Sequence, residues 1–378
     1  MLDRFGPWSS ALGDGMSPHL DTFWKRRLSL LASTRTARFE PTRRDGLLLG
    51  MLAIAAFGLP TLHLASAQSP NLAKSPGPGR IYVRANFNTG QTTDPAQNGL
   101  FAIDPGTATR TKLLDDFGFS IRVSPDGRTV ALSRAGWTGG DREVEGAGLW
   151  TIESEGKGEK RKIANFGGTL SWSPDSRQIM VSKSSPKNKK LSEGWSHETW
   201  RMNADGSGAT KLTIADTEEI DDWSPDGRLL VSVSDRQQPK GSGYQLYVMR
   251  PDGTEQHLIS SGTGLNVYPR FSPDGLQVAY LHQERGVDSL WVVNVDGSGR
   301  RMIVPERDNV APGKFCWSPD GKSIVYRVQT WEPAGDGKKI ISSGEKSKPG
   351  LVLVDSDGKN PRPIQFPPAR WVESPDWR

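Results

Sequence analysis

The chain has 378 residues, enough for one large domain or a few ordinary ones, and its 13 Trp and 12 Phe can fill a core, which excludes disorder throughout. Its 42 Gly and 27 Pro favour tight turns and short strands, and its single cysteine, Cys316, excludes a disulfide framework or a multi-Cys zinc site. The net charge of +5 arises mostly in residues 1–67, which hold eight basic and five acidic residues; the remainder has 40 against 38, so no basic stripe for nucleic acid is expected.

Residues 1–42 show no clean periodicity and are assigned no fold. Arg43 and Arg44 precede an apolar run over 47–64, which Ala65-Ser66-Ala67 follows. A positive flank, an apolar stretch and a small-x-small site form the pattern of an export signal cleaved after Ala67. A retained membrane anchor is the alternative, since the run has nearly the length of a span. Residues 68–79 read as a Pro/Gly/Ser linker.

From residue 80 onward the chain repeats. Ser-Pro-Asp-Gly or a near variant starts at Ser124, Ser173, Ser224, Ser272, Ser318 and Ser374, at spacings of 49, 51, 48, 46 and 56 residues. Ser caps a turn, Pro presets its φ, Asp bonds its own backbone and Gly permits positive φ. Each of the first five tetrads precedes a short β-rich run such as Thr129-Val130-Ala131-Leu132 or Gln277-Val278-Ala279-Tyr280. A second run follows, such as Leu246-Tyr247-Val248-Met249, and ends in a turn such as Asp252-Gly253 or Asp296-Gly297. A further short strand leads to the next tetrad. Four-stranded units of roughly 40–50 residues indicate a β-propeller.

The ends set the blade count. Arg80-Ile81-Tyr82-Val83 has no tetrad before it, and the tetrad at Ser374 has no strand after it. Joining tail to head completes one ordinary repeat. The expected fold is all-β: a six-bladed β-propeller of four-stranded blades over 80–378, closed by pairing of the N- and C-terminal strands. Closure removes the open sheet edge.

The tetrads, most clearly Trp-Ser-Pro-Asp-Gly at 223–227 and 317–321 and the strand-turn pair 247–253, resemble the repeat of TolB-like propellers. That repeat also occurs in the propeller domains of prolyl oligopeptidase-type enzymes. The resemblance covers residues 80–378. It implies a cell-envelope protein that binds a protein partner, while the export signal over 43–67 makes the expected location periplasmic or secreted, with membrane contact only through the signal or anchor segment. No nucleic-acid partner is expected, and the propeller is expected to be monomeric.

In such a meander the tetrad and Asp-Gly turns share one end of each blade. The other end carries loops of varied length, including 136–148, 184–198 with Lys187, Lys189 and Lys190 at its tip, 235–243 and 329–350. Binding usually resides on such loops. Glu218, Glu219, Asp221 and Asp222 lead into one innermost strand, while Arg270, Lys314 and Arg370 hold comparable positions in other blades. Glu219, Asp221, Asp222, Arg270, Lys314 and Arg370 are therefore the candidate partner-binding residues, ringing the mouth of the central channel.

No His-Glu-x-x-His, Gly-x-Ser-x-Gly or phosphate loop occurs, so no catalytic residue, metal or cofactor is assigned. Asp355-Ser356-Asp357-Gly358 reads as a plain turn, and Cys316 as a small buried residue beside Trp317. The expected function is an exported, non-catalytic binding scaffold. The alternative is a propeller enzyme, such as a metal-assisted lyase or lactonase, that uses the acidic channel mouth.

Overall fold

Six sheets are arranged as the repeat predicts, in a computed structural model that describes residues 79–378 except 88–93, 116–119, 135–145, 157, 187–194, 213–217, 237–242, 285–286, 306–309, 334–338, 342–349, 365–368 and 370. The export segment, the Lys187 loop tip and Arg370 lie outside the described residues. From the innermost strand outward, blade 1 is Trp371–Trp377, Ile81–Asn86, Asn98–Ile103 and Arg110–Leu114. Blade 2 is Ser120–Val123, Thr129–Arg134, Gly148–Glu153 and Arg161–Ala164. Blade 3 is Thr169–Trp172, Gln178–Pro186, Trp195–Asn203 and Thr210–Lys211. Blade 4 is Glu218–Trp223, Leu230–Ser234, Gln245–Met249 and His257–Leu258. Blade 5 is Leu265–Phe271, Gln277–Glu284, Val287–Asn294 and Arg301–Val304. Blade 6 is Val310–Trp317, Ser323–Pro333, Leu351–Asp355 and Arg362–Pro363, and Lys339–Ile341 pairs with the far end of its second strand. That added hairpin lies within the loop expected over 329–350.

The tetrad works as its residue types require. Ser124 Oγ donates to Asp126 Oδ1 at 2.6 Å and accepts from Thr129 N at 2.9 Å, which closes the turn into the second strand. The same Ser-to-Asp bond recurs at Ser173, Ser224, Ser272 and Ser318. The fourth position has φ near +70° in the Gly copies, and Ser176 adopts φ 61° where the second copy lacks Gly. Neighbouring turns also touch: a Cβ on Gly227, Gly275 or Gly321 would lie 3.4–3.5 Å from Pro174, Pro225 or Pro273 of the preceding blade. The tetrads thus tile one face of the ring.

The sixth copy differs. Trp377 pairs with Ile81 just as Val123 pairs with Val130 and Trp317 with Ile324. Trp377 therefore fills the place of the large residue that precedes each tetrad, and Arg378 fills the place of the tetrad serine. Ser374-Pro375-Asp376 forms no turn. It lies inside the innermost strand, where Ser374 and Pro375 oppose the single residue Val83 as a bulge. Ring closure by the two termini holds, with the tail shifted by four residues from the expected alignment.

The core lies between blades. One cluster joins Ile81, Val83, Phe101, Val372 and Trp377 of blade 1 to Cys316, Val325 and Leu351 of blade 6. Another joins Ala279, Leu281 and Val292 of blade 5 to Phe315, Trp317 and Ile324 of blade 6. Each sheet covers its neighbour's apolar face, so no blade buries its residues alone.

Candidate functional site: the central channel

Aligning the innermost strands on their pairing sets Arg122, Ser171, Asp222, Arg270, Cys316 and Asp376 at one level, opposite Ala131, Met180, Val231, Ala279, Val325 and Tyr82 respectively. This layer links the blades. Asp376 Oδ2 accepts from Val123 N at 2.6 Å, and Asp222 Oδ2 accepts from Phe271 N at 3.0 Å. Ser171 Oγ donates to Asp222 Oδ1 at 3.2 Å, and Arg270 Nη1 lies 3.5 Å from the same oxygen. Trp172 Nε1 donates to the Arg122 carbonyl and Trp317 Nε1 to the Arg270 carbonyl. Cys316 belongs to the core, and burial pushes its thiol well up.

A second layer lies toward the variable-loop end, where the innermost strands begin. Asp221 is an extra residue between the pairs Ile220–Ser232 and Asp222–Val231. Tyr268-Pro269 and Gly313-Lys314 are two-residue bulges opposite Tyr280 and Arg327. Bulges re-aim side chains and interrupt pairing. The Thr169 hydroxyl donates to Glu219 across the seam between blades 3 and 4. Glu373 lies 3.7 Å from Arg84 and 3.4 Å from Arg327, and both arginines project from second strands. Lys314 Nζ stands 5.0 Å from the centre of the Tyr268 ring.

The electrostatics cross the channel. Asp221 is 2% exposed, and its Oδ2 is buried with no hydrogen-bond partner among the described residues. Burial raises its carboxyl well above the usual range, Glu219 pushes the same way, and Arg122 of blade 2 and Lys314 of blade 6 pull against them. Asp222 is raised to about 6, chiefly by burial, against the charge of Arg122 and its Phe271 N–H bond. Lys314 is lowered to about 8 by burial, although Glu373 favours its charged form. Burial also raises the Tyr268 phenol, and Glu219, Asp288 and Asp221 add to the effect. The mouth therefore carries groups whose protonation changes between about pH 6 and 8, close to neutrality.

Of the expected site residues, Asp221, Asp222 and Arg270 come together: Arg270 pairs with Asp222 and its Nη1 donates to the Asp221 carbonyl at 3.1 Å. Glu219, of the same strand as the two aspartates, and Lys314 of blade 6 both act on the Asp221 carboxyl. Glu218 does not join them. It is fully buried, accepts from Ser232 Oγ at 2.7 Å and lies 3.0 Å from Arg236. Sequence reasoning missed Arg84, Arg122, Arg327, Glu373 and Asp376. Arg122 was detectable, because it stands two residues before its tetrad as Asp222 and Arg270 do. Asp355 accepts from Asn360 and Arg362, and Asp357 from Lys359, so both carboxylates serve their turn. Among the described residues no group of three or more His, Cys, Asp or Glu is placed to hold a metal ion, and no helix is long and apolar enough to cross a membrane.

Among solved structures, TolB from Acinetobacter baumannii is similar at TM-score 0.58 and 19% identity, over 80% of this chain and 68% of that one. A putative TolB from Agrobacterium tumefaciens gives TM-score 0.51 at 19% identity, over 77% of this chain and 90% of that one. These likenesses concern the fold. Dipeptidyl-peptidase 5 of Porphyromonas gingivalis is 32% identical over 116 residues, 28% of this chain and 16% of that protein. An uncharacterized protein of Agrobacterium fabrum is 33% identical over 158 residues, 41% of this chain and 49% of that protein. The matched stretches thus span half or less of these curated relatives. The model of the TolB beta propeller domain matches residues 115–378, more than half of the chain and nearly all of the ring, and the chain belongs to that family.

Proposed function

We propose that this protein is an exported, non-catalytic propeller that binds a protein partner of the cell envelope at the channel mouth. The observation that carries the reading is the second channel layer. There, Glu219, Asp221, Arg84, Arg327, Lys314 and Glu373 bring both signs of charge from three blades to one opening, with Asp221 Oδ2 buried and without a hydrogen-bond partner among the described residues. Buried polar atoms usually have partners, and an orphan at a channel mouth is suited to a ligand's donor. The charges that meet the partner are Glu219, Asp221, Asp222, Arg270 and Lys314, and Arg370 joins them on the strength of its repeat position.

The test compares capture from the envelope fraction of the native host. The full chain is expected to retain a specific protein, with salt weakening capture because exposed charges are screened. The combined variant Glu219→Gln/Asp221→Asn should retain at least roughly tenfold less, the scale of one lost charged contact. Equal capture by both forms overturns the channel reading. A stoichiometric, tightly bound metal in the purified protein overturns the non-catalytic reading in favour of a metal-assisted enzyme.

The export part of the proposal rests on Arg43, Arg44, the apolar run over 47–64 and Ala65-Ser66-Ala67. N-terminal sequencing of protein from the native host is expected to begin at Gln68. A start well upstream of residue 60 contradicts it.

A further inference from the structure

The outer part of the seam between blades 4 and 5 holds a cavity of ≈ 450 Å³, apart from the channel. Its floor is the side of blade 5 that faces blade 4. Tyr280, His282 and Glu284 alternate along the second strand, and their partners Trp291, Ser289 and Val287 lie on the third. Gly262 and Thr263, in the connection from blade 4, form the opposite wall.

Arg300 closes one end. Its Nε donates to the Tyr280 hydroxyl at 2.8 Å, and its guanidinium carbon stands 4.2 Å from the centre of the Trp291 ring. These two contacts fix the guanidinium plane. Its two terminal nitrogens have no hydrogen-bond partner among the described residues, so a fork of donors is presented to the cavity. Such a fork matches a carboxylate.

His282 stands at the middle, 7% exposed. The fully buried Asn266 donates its Nδ2 to the Tyr244 carbonyl and to Gln245 Oε1, both at 3.1 Å, so its Oδ1 is an acceptor. That oxygen lies 2.8 Å from His282 Nδ1, which must therefore carry the ring proton. Nε2 is left as a bare acceptor with no partner among the described residues. Burial and the charge of Arg300 lower the His282 pKa, which keeps the ring neutral.

Glu284 is exposed at the far rim, about 13 Å of strand from Tyr280. The cavity thus runs from a fixed cation, past a neutral acceptor, to an anionic rim.

We propose that this cavity binds a free short peptide as a zwitterion. The carboxylate lies on the Arg300 fork, the amide N–H donates to His282 Nε2, and the ammonium faces Glu284. Arg300, His282 and Glu284 take no part in the channel, so this inference stands or falls independently of the partner-binding reading.

The test is calorimetric titration of the full chain with Ala-Ala, its N-acetyl form and its C-terminal amide. Ala-Ala is expected to bind saturably, and each blocked form at least roughly tenfold more weakly, since each loses one charged contact. Arg300→Met keeps the packing on Trp291 and removes the fork, and should also weaken Ala-Ala roughly tenfold. Glu284→Gln, at an exposed position, should weaken Ala-Ala while leaving N-acetyl-Ala-Ala unchanged, even if the Arg300 variant fails to fold. Absence of saturable binding, equal binding of all three ligands, or unchanged affinity in the Glu284 variant overturns the proposal.

Discussion

Deleting residues 371–378 is expected to abolish cooperative unfolding of the ring, or to lower its melting temperature by roughly 10 °C or more. The deletion removes the innermost strand of blade 1, so Ile81–Asn86 loses its inner partner and the ring gains an open edge beside the channel. Val372 and Trp377, at 1% and 8% exposure, leave the cluster shared with blade 6. Each large side chain contributes roughly 1.5–3 kcal/mol by burial. Val123 N loses the Asp376 carboxylate, and an unpaired buried donor costs about 1–3 kcal/mol. Arg84 and Arg327 lose Glu373, leaving buried charge without its counter-ion, which costs about 3–5 kcal/mol. Together these losses reach the ~5–15 kcal/mol that holds a domain folded. Deleting the linker residues 68–78 should leave the transition nearly unchanged. Equal melting temperatures for the two deletions would show that the strand does not close the ring.

The tail shows how far the letters reach. Five tetrads were legible because each role in the turn belongs to one residue type, and all five form the same Ser-to-Asp bond. Ser374-Pro375-Asp376 offers the same letters and forms a bulged strand instead, because Trp377 must occupy the site between blades that Trp172, Trp223 and Trp317 occupy elsewhere. Packing of one large side chain overrode a local turn preference. In the channel, Asp222 and Arg270 were legible from their fixed offset to the tetrad. Arg84 and Arg327 were not, since they sit on second strands and join the channel charges beside bulges that no residue type announces. The cavity between blades 4 and 5 was illegible for another reason: Arg300, His282 and Glu284 belong to different repeat positions, and only the sheet register brings them together.

Replacing Asp222 by Asn is expected to raise stability at pH 7.5 by about 2–3 kcal/mol while reducing partner capture. Burial lifts the Asp222 carboxyl from 3.8 to about 6. Between those values the folded state binds more protons than the unfolded chain, so stability falls as pH rises through the window and stays lower above it. The carboxylate is only 19% exposed, so solvent screens this cost weakly. Asn keeps an oxygen for Phe271 N and an amide for Ser171, and it carries no charge to desolvate. The variant should therefore melt several degrees above the wild type at pH 7.5, match it near pH 4, and lack the part of the fall in stability between pH 4 and 6 that Asp222 contributes. The loss of the Asp222 charge also leaves Arg270, 3.5 Å away, without that counter-ion. If this loss dominates, the variant melts lower at pH 7.5, and Asp222 acts as a structural latch between blades 4 and 5. A variant that is more stable yet captures less partner would show that the ring carries a costly buried charge because binding requires it.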